Sequence, residues 1–176
     1  GAASLTNWVV TLKIQPYILP KLHFKDEIPA RFQTLVVIPA MITSHEEVDN
    51  LTRQLEMHYL RNPEPGLLFA LLTDFRDADR ETLPEDDDLL NYAATAIESL
   101  NAKYKRPSPS DSIPGTKPAF YLLHRKRLWN PSEGKWMGWE RKRGKLHEMN
   151  LLLRGGTNLS FSKVTRDMGG LEALKC

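Results

Sequence analysis

The chain carries 24 Lys and Arg against 22 Asp and Glu, a formal net charge of +2, in 176 residues of which 41% are hydrophobic and 26% charged. Such a composition suits one soluble globular domain with a proper core. It excludes nucleic-acid binding by overall charge, so a nucleic-acid ligand would need basic residues gathered on one face. The lone cysteine, Cys176, can build neither an internal disulfide nor a zinc cluster, which fits a reducing compartment.

No stretch approaches the roughly 20 apolar residues that span a bilayer. Residues 1–30 contain "LTNWVVTLKIQPYILP", an apolar segment with Trp8 and Tyr17. Aromatics favour the membrane interface, so it reads either as the tail of a membrane helix cut off upstream or as a strap packed on the domain. Beginning at Gly1 without an initiator Met, the chain reads as a piece of something larger, with residues 31–176 as the domain itself.

"TLVVIPA" (34–40) is a β-branched apolar run and predicts a buried strand, with Pro39 ending its ladder. Ser44 and Glu47 then form a capping box, after which Val48, Leu51, Leu55 and Tyr59 recur at helical spacing as far as "NPEPG". "LLFALLTDF" (67–75) predicts a second strand, and its unbroken apolar character requires cover on both faces of the sheet. "PEDDD" opens a second helix, its acids serving as caps at the positive end of the helix dipole, with Leu90, Ala93, Ile97, Leu100 and Tyr104 on one stripe.

A Pro/Ser-rich segment (105–118) predicts a mobile loop, and "AFYLLHR" (119–125) a third strand. After a turn at "NPSEGK", a basic stretch leads into "KLHEMNLLLRGG", where Leu146, Met149 and Leu153 share a helix face and Gly155 supplies the stop. Strands alternating with helices imply a mostly parallel sheet with right-handed crossovers, a layered α/β domain of Rossmann type. Ligands of such sheets lie beyond the carboxyl ends of the strands. That edge holds residues 39–43, 74–77 and 125 onward.

Familiar chemical motifs fail here. The phosphate loop of nucleotide triphosphatases needs four residues between its glycines and Ser or Thr after the lysine, whereas five separate Gly138 from Gly144 and Leu146 follows Lys145. No GxGxxG fingerprint and no GxSxG nucleophile elbow occur, and in "HEMNL" the second zinc histidine would fall on Leu151. What stands out is the cation cluster Arg141, Lys142, Arg143 and Lys145 around Gly144. Like charge at the positive end of a helix costs roughly 0.3–1 kcal/mol per cation. A bound phosphate reverses that sign, because helix N–H groups, a glycine and Arg or Lys donors together make an anion site; the plain alternative is a solvated basic turn. Asp74, at the end of a strand, suits a ribose hydroxyl or a base N–H, or else caps the turn "DFRDAD". Together an anion site and a nucleoside-selecting acid point to a nucleotide or nucleotide-sugar ligand.

"TLVVIPAMITS", "LEMHYLRNPEPGLLFALLTDF", "LLHRKRLWNPSEGKWMGWERKRGKLHEMNLLLRG" and "TNLSF" resemble the glycosyltransferase domain of bacterial cyclic β-1,2-glucan synthases, large inner-membrane enzymes that polymerise glucose from UDP-glucose. The resemblance runs from about residue 19 to residue 161. It implies the N-terminal, nucleotide-binding half of a three-layer α/β/α fold of GT-A type. By similarity to family-two-like glycosyltransferases, Pro39 and Ala40 would line the uridine pocket and Asp74 would contact uracil or ribose. Lys145 would approach the diphosphate beside Arg141, Arg143 and Gly144, and Asn150 would brace the helix start. The family's usual "DDG" stands here as "TDF". The resemblance places the DxD metal motif and the general base outside this chain, so Mg²⁺ or Mn²⁺ would be held by the parent enzyme and the piece alone would be inactive. The implied partners are UDP-glucose, a glucan acceptor and the rest of a membrane protein at the cytoplasmic face of the inner membrane, with no nucleic acid and no membrane span in this piece.

Two other readings stay open. The basic stretch 125–145 with Trp129, Trp136 and Trp139 would suit a glucan- or nucleic-acid-binding module, since aromatics stack on sugars or bases beside cations. A structural docking domain within a membrane complex is the other.

Overall fold

In the computed structural model the described residues are Trp8 and 28–104, 106–107, 116–117, 119–157 and 159–164. Most of the strap 1–30, most of the loop 105–118 and Cys176 lie outside them.

A four-stranded sheet organises the domain, in the order β1 (Thr34–Ile42), β2 (Leu67–Phe75), β5 (Phe120–Arg125), β8 (Phe161–Val164). The first three run parallel and β8 is antiparallel to β5. α1 (His45–Arg61) links β1 to β2, and α2 (Asp86–Lys103) follows β2. Both helices pack on one face, where Val48, Leu51 and Leu55 of α1 and Leu89, Ala93, Ile97 and Leu100 of α2 join Phe69, Leu71 and Phe120 of the sheet. On the other face α3 (Arg141–Leu153) sets Leu146, Met149, Leu152 and Leu153 against Leu68, Ala70, Leu72, Tyr121 and Leu123. Strand residues alternate between these two clusters, as a period of two demands. The result is a Rossmann-like three-layer α/β/α domain with a mostly parallel sheet. Both faces of β2 are buried, as its unbroken apolar run requires.

Most local signals hold. Ser44 caps α1, its hydroxyl accepting from the Glu47 N–H, and Gly155 ends α3 at φ +78°. Four expectations need correction. Pro39 does not end its ladder: β1 continues to Ile42, with Pro39 opposite Leu72. As the sheet's edge strand β1 tolerates a residue without an N–H. The buried stripe of α2 begins at Leu89, with Leu90 only partly buried. Asp86 is more than a cap, because it is buried in a bidentate pair with Arg127. Lastly, α3 starts at Arg141, so the cations occupy its opening turns and do not precede it. Within the segment expected to be a mobile loop, Arg106–Pro107 (β3) and Thr116–Lys117 (β4) pair as a short antiparallel ladder.

Between β5 and α3 the turn at "NPSEGK" is the tip of a hairpin, β6 (Leu128–Asn130) with β7 (Lys135–Met137). Two reciprocal backbone hydrogen bonds between Ala78 and Trp136, both 2.9 Å, fasten this hairpin to the segment after β2. That bridge holds the entry to α3 beside the carboxyl ends of β1 and β2.

Candidate functional site

At that edge lies an open pocket of about 290 Å³ bordered by Pro39, Ala40, Asp74, Gly138, Lys142 and Lys145, among others. Asp74, at the end of β2, is 4% exposed and Lys145, in the second turn of α3, is also 4% exposed. The Lys145 ammonium donates to Asp74 Oδ2 at 2.9 Å and to the Ala40 carbonyl at 2.6 Å. Two of its three N–H donors are thereby engaged, and the ammonium stitches α3 to the ends of β1 and β2. Burial pushes the Lys145 pKa down, and Asp74 opposes that shift.

Beneath the pocket floor Arg125 meets Asp74. Its Nε donates to Oδ1 at 2.8 Å and its Nη2 to Oδ2 at 3.0 Å. Nη1 donates to the Trp139 carbonyl at 3.1 Å and to Glu148 Oε2 at 3.3 Å, and Nη2 also donates to the Arg141 carbonyl at 3.2 Å. All five guanidinium donors therefore have acceptors, the full complement for arginine. Glu148, one turn beyond Lys145, accepts in addition from the Ser160 hydroxyl. Two buried cations thus face two buried carboxylates. The cluster is neutral, which is what makes burying four charges tolerable.

Gly138 is required at this spot. A Cβ there would stand 2.7 Å from Asp74 Oδ2 and 3.0 Å from Arg125 Nη2, groups fixed by their own pairing. Where the chain turns into α3, Glu140 and Arg141 both hold positive φ, 52° and 47°. Neither is glycine, and backbone strain of this kind gathers where surrounding structure enforces a functional shape.

The structure brings together Pro39, Ala40, Asp74, Arg141 and Lys145 of the residues singled out from sequence. Arg141 reaches the rim, yet its guanidinium is engaged by Asp77 at 3.0 Å and Glu133 at 2.9 Å. Three others lie off the pocket. Arg143 is exposed and pairs with Glu140 at 3.1 Å. Gly144 makes room for the protein's own backbone, since a Cβ would sit 1.9 Å from the Trp139 carbonyl. Asn150 is exposed in the last turns of α3, away from its start, and its carbonyl accepts from the Arg154 N–H.

Arg125, Glu148 and Gly138 were not singled out by motif. Position alone flagged Arg125, the first residue after the third apolar run, while Lys145 and Glu148 carry the helical i, i+3 signature of neighbours on one face. The bare spacing Asp-x-Asp does occur in the chain, at Asp77 and Asp79 directly after β2 and again at Asp86 and Asp88. Asp77 faces Arg141 and Asp86 faces Arg127. Among the described residues no three His, Cys, Asp or Glu side chains converge as metal ligands.

Beneath the other face of the sheet, Thr73 Oγ1 and His124 Nδ1 lie 2.8 Å apart, fully buried. Burial lowers the His124 pKa to about 4, and its Nε2 has no hydrogen-bond partner among the described residues.

The fold and this pocket define a class: a Rossmann-like α/β domain with a charged cleft at the carboxyl ends of its parallel strands, where such domains take their ligands. No family model matches the chain. The cyclic beta-(1,2)-glucan synthase NdvB of Rhizobium meliloti (strain 1021) is 50% identical to it over 161 residues, which cover 92% of this chain and 5% of the synthase. Over that length the chain is homologous to a segment of the synthase, as its sequence resemblance implied. No helix among the described residues is long and apolar enough to cross a membrane.

Proposed function

We propose that the chain is the donor-binding part of a glucosyltransferase, taking UDP-glucose as part of a larger protein that builds cyclic β-1,2-glucan. The observation that carries this reading is the pocket in which Lys145 joins Asp74 to the Ala40 carbonyl, at the ligand edge of the sheet, in a segment half-identical to a glucan synthase. Pro39, Ala40 and Met41 offer the uracil ring an apolar wall. Among the described residues Asp74 Oδ1 accepts only from Arg125 Nε, which leaves a lone pair for a ribose hydroxyl or a base N–H.

The diphosphate would draw on the remaining Lys145 donor, on Lys142 at the rim and on the start of α3. Because Asp74 neutralises much of Lys145, binding by this piece is weak and gains from Arg141 turning off Asp77. Mg²⁺ or Mn²⁺ in the parent enzyme would stabilise the leaving diphosphate, with ligands contributed from outside this chain. A carboxylate elsewhere would deprotonate the acceptor hydroxyl. In this reading the domain faces the cytoplasm beside the inner membrane, and the isolated piece is inactive.

Calorimetric titration with UDP, ADP and CDP tests the proposal. A preference for UDP that disappears in Lys145→Ala supports it. Equal affinity for all three, or none in the intact chain, overturns it.

A further inference from the structure

A second open pocket, of about 540 Å³, adjoins the first and is bordered by Trp129, Asn130, Glu133, Trp139, Glu140 and Arg141 among others. Two exposed tryptophans line it, Trp129 of β6 at 49% and Trp139 ahead of α3 at 44%. Each is held in place. Trp129 packs against Trp136 with ring centroids 5.9 Å apart, and Trp139 meets His147 edge-on at 6.0 Å. Arg141 borders both pockets, and its neighbour Glu140, the other residue with positive φ, lines only the second pocket.

From this arrangement we infer that the tryptophan pocket is a binding subsite for a neutral β-glucan chain, the acceptor that meets the donor across Arg141. Glucose rings present apolar C–H faces to indoles and hydroxyls at the ring edge, and this wall offers both kinds of partner: indoles in Trp129 and Trp139, hydrogen-bonding groups in Asn130, Glu133 and Glu140. Charge decides against a nucleic acid. Arg141 is already matched by Glu133 and Asp77, and Glu140 by Arg143, so the charged groups lining this wall are paired, and it offers a polyanion no unmatched cation while accepting an uncharged sugar. The acceptor role rests on the donor reading above, whereas binding of the sugar does not.

The test is titration of the full chain with sophorose and longer β-1,2-linked gluco-oligosaccharides, followed by the indole N–H resonances in NMR, with UDP titrated separately. Shifts at Trp129 and Trp139 that strengthen with chain length are expected. Trp129→Ala and Trp139→Ala should each weaken binding about fivefold or more, while Trp129→Phe retains part of it and all variants keep the parent circular dichroism spectrum. Indole signals unmoved at millimolar oligosaccharide, alanine variants that bind as the parent does, or an oligonucleotide that moves those signals while sugars do not, would each overturn the inference. Sugar binding without UDP binding would leave this subsite standing and defeat the donor reading; UDP binding without sugar binding would do the reverse.

Discussion

Arg125 grips both carboxylate oxygens of Asp74, at 2.8 and 3.0 Å, while the same guanidinium holds the carbonyls of Trp139 and Arg141 at the mouth of α3. One buried side chain therefore fixes the acid at the end of β2 and the helix start opposite it. Arg125→Met leaves Asp74 and Glu148 buried with less compensating charge, and stability should fall by about 3–5 kcal/mol in urea denaturation. Arg125→Lys should recover only part, because an ammonium cannot reproduce the five-donor fork. A loss below about 1 kcal/mol for the methionine variant would contradict this role.

Gly144→Ala tests the tight entry to α3. In most helix interiors alanine is more stable than glycine by roughly 0.5–1 kcal/mol. Here its methyl group would meet the Trp139 carbonyl at 1.9 Å, so the variant should be destabilised by about 1–3 kcal/mol. A thermal midpoint equal to or above that of the parent would show that Trp139 has room to move.

His124 sets a pH dependence. Its folded pKa lies at about 4, well below the ordinary histidine value of 6.5, so between those values the unfolded chain binds a proton that the folded chain does not. Stability should decline as pH falls through that window, by roughly 3 kcal/mol in total, and this loss should level off once the folded form also protonates. Asp86 acts lower on the scale: burial works against its ionisation, but Arg127 and the Leu83 N–H outweigh it and hold its pKa below the usual value. Its stabilisation is lost progressively as pH drops from the ordinary carboxylate range through that depressed value. Urea denaturation at several pH values should show the slope between pH 6.5 and 4 flattening in His124→Asn; an unchanged slope would assign the acid sensitivity elsewhere.

The framework was legible because its signals are local. The Ser44 cap, the unbroken β2 run and the Gly155 stop each act within a few residues, and their elements lie where the sequence puts them. Pro39 misled because its meaning depends on whether β1 is an edge strand, a fact of topology and not of the segment. The cation cluster is shared out in a way its sequence does not show. Lys145 turns inward to Asp74, Arg141 takes Asp77 and Glu133, and Arg143 falls back on Glu140. Nothing in the order of residues 141–145 tells which partner each cation finds across the fold. Arg125 and Arg127 carried a positional hint only, and their partners lie 51 and 41 residues away in Asp74 and Asp86.

The role proposed for the cleft between Ala40, Asp74 and Lys145 is to receive a uridine diphosphate. Its most direct test is an amide NMR titration of the chain with UDP, with and without Mn²⁺. Weak, saturable shifts are expected at residues 40, 41 and 74 and along 141–145, nearly independent of the metal. Spectra unchanged at millimolar UDP, or shifts confined to residues remote from that cleft, would contradict it.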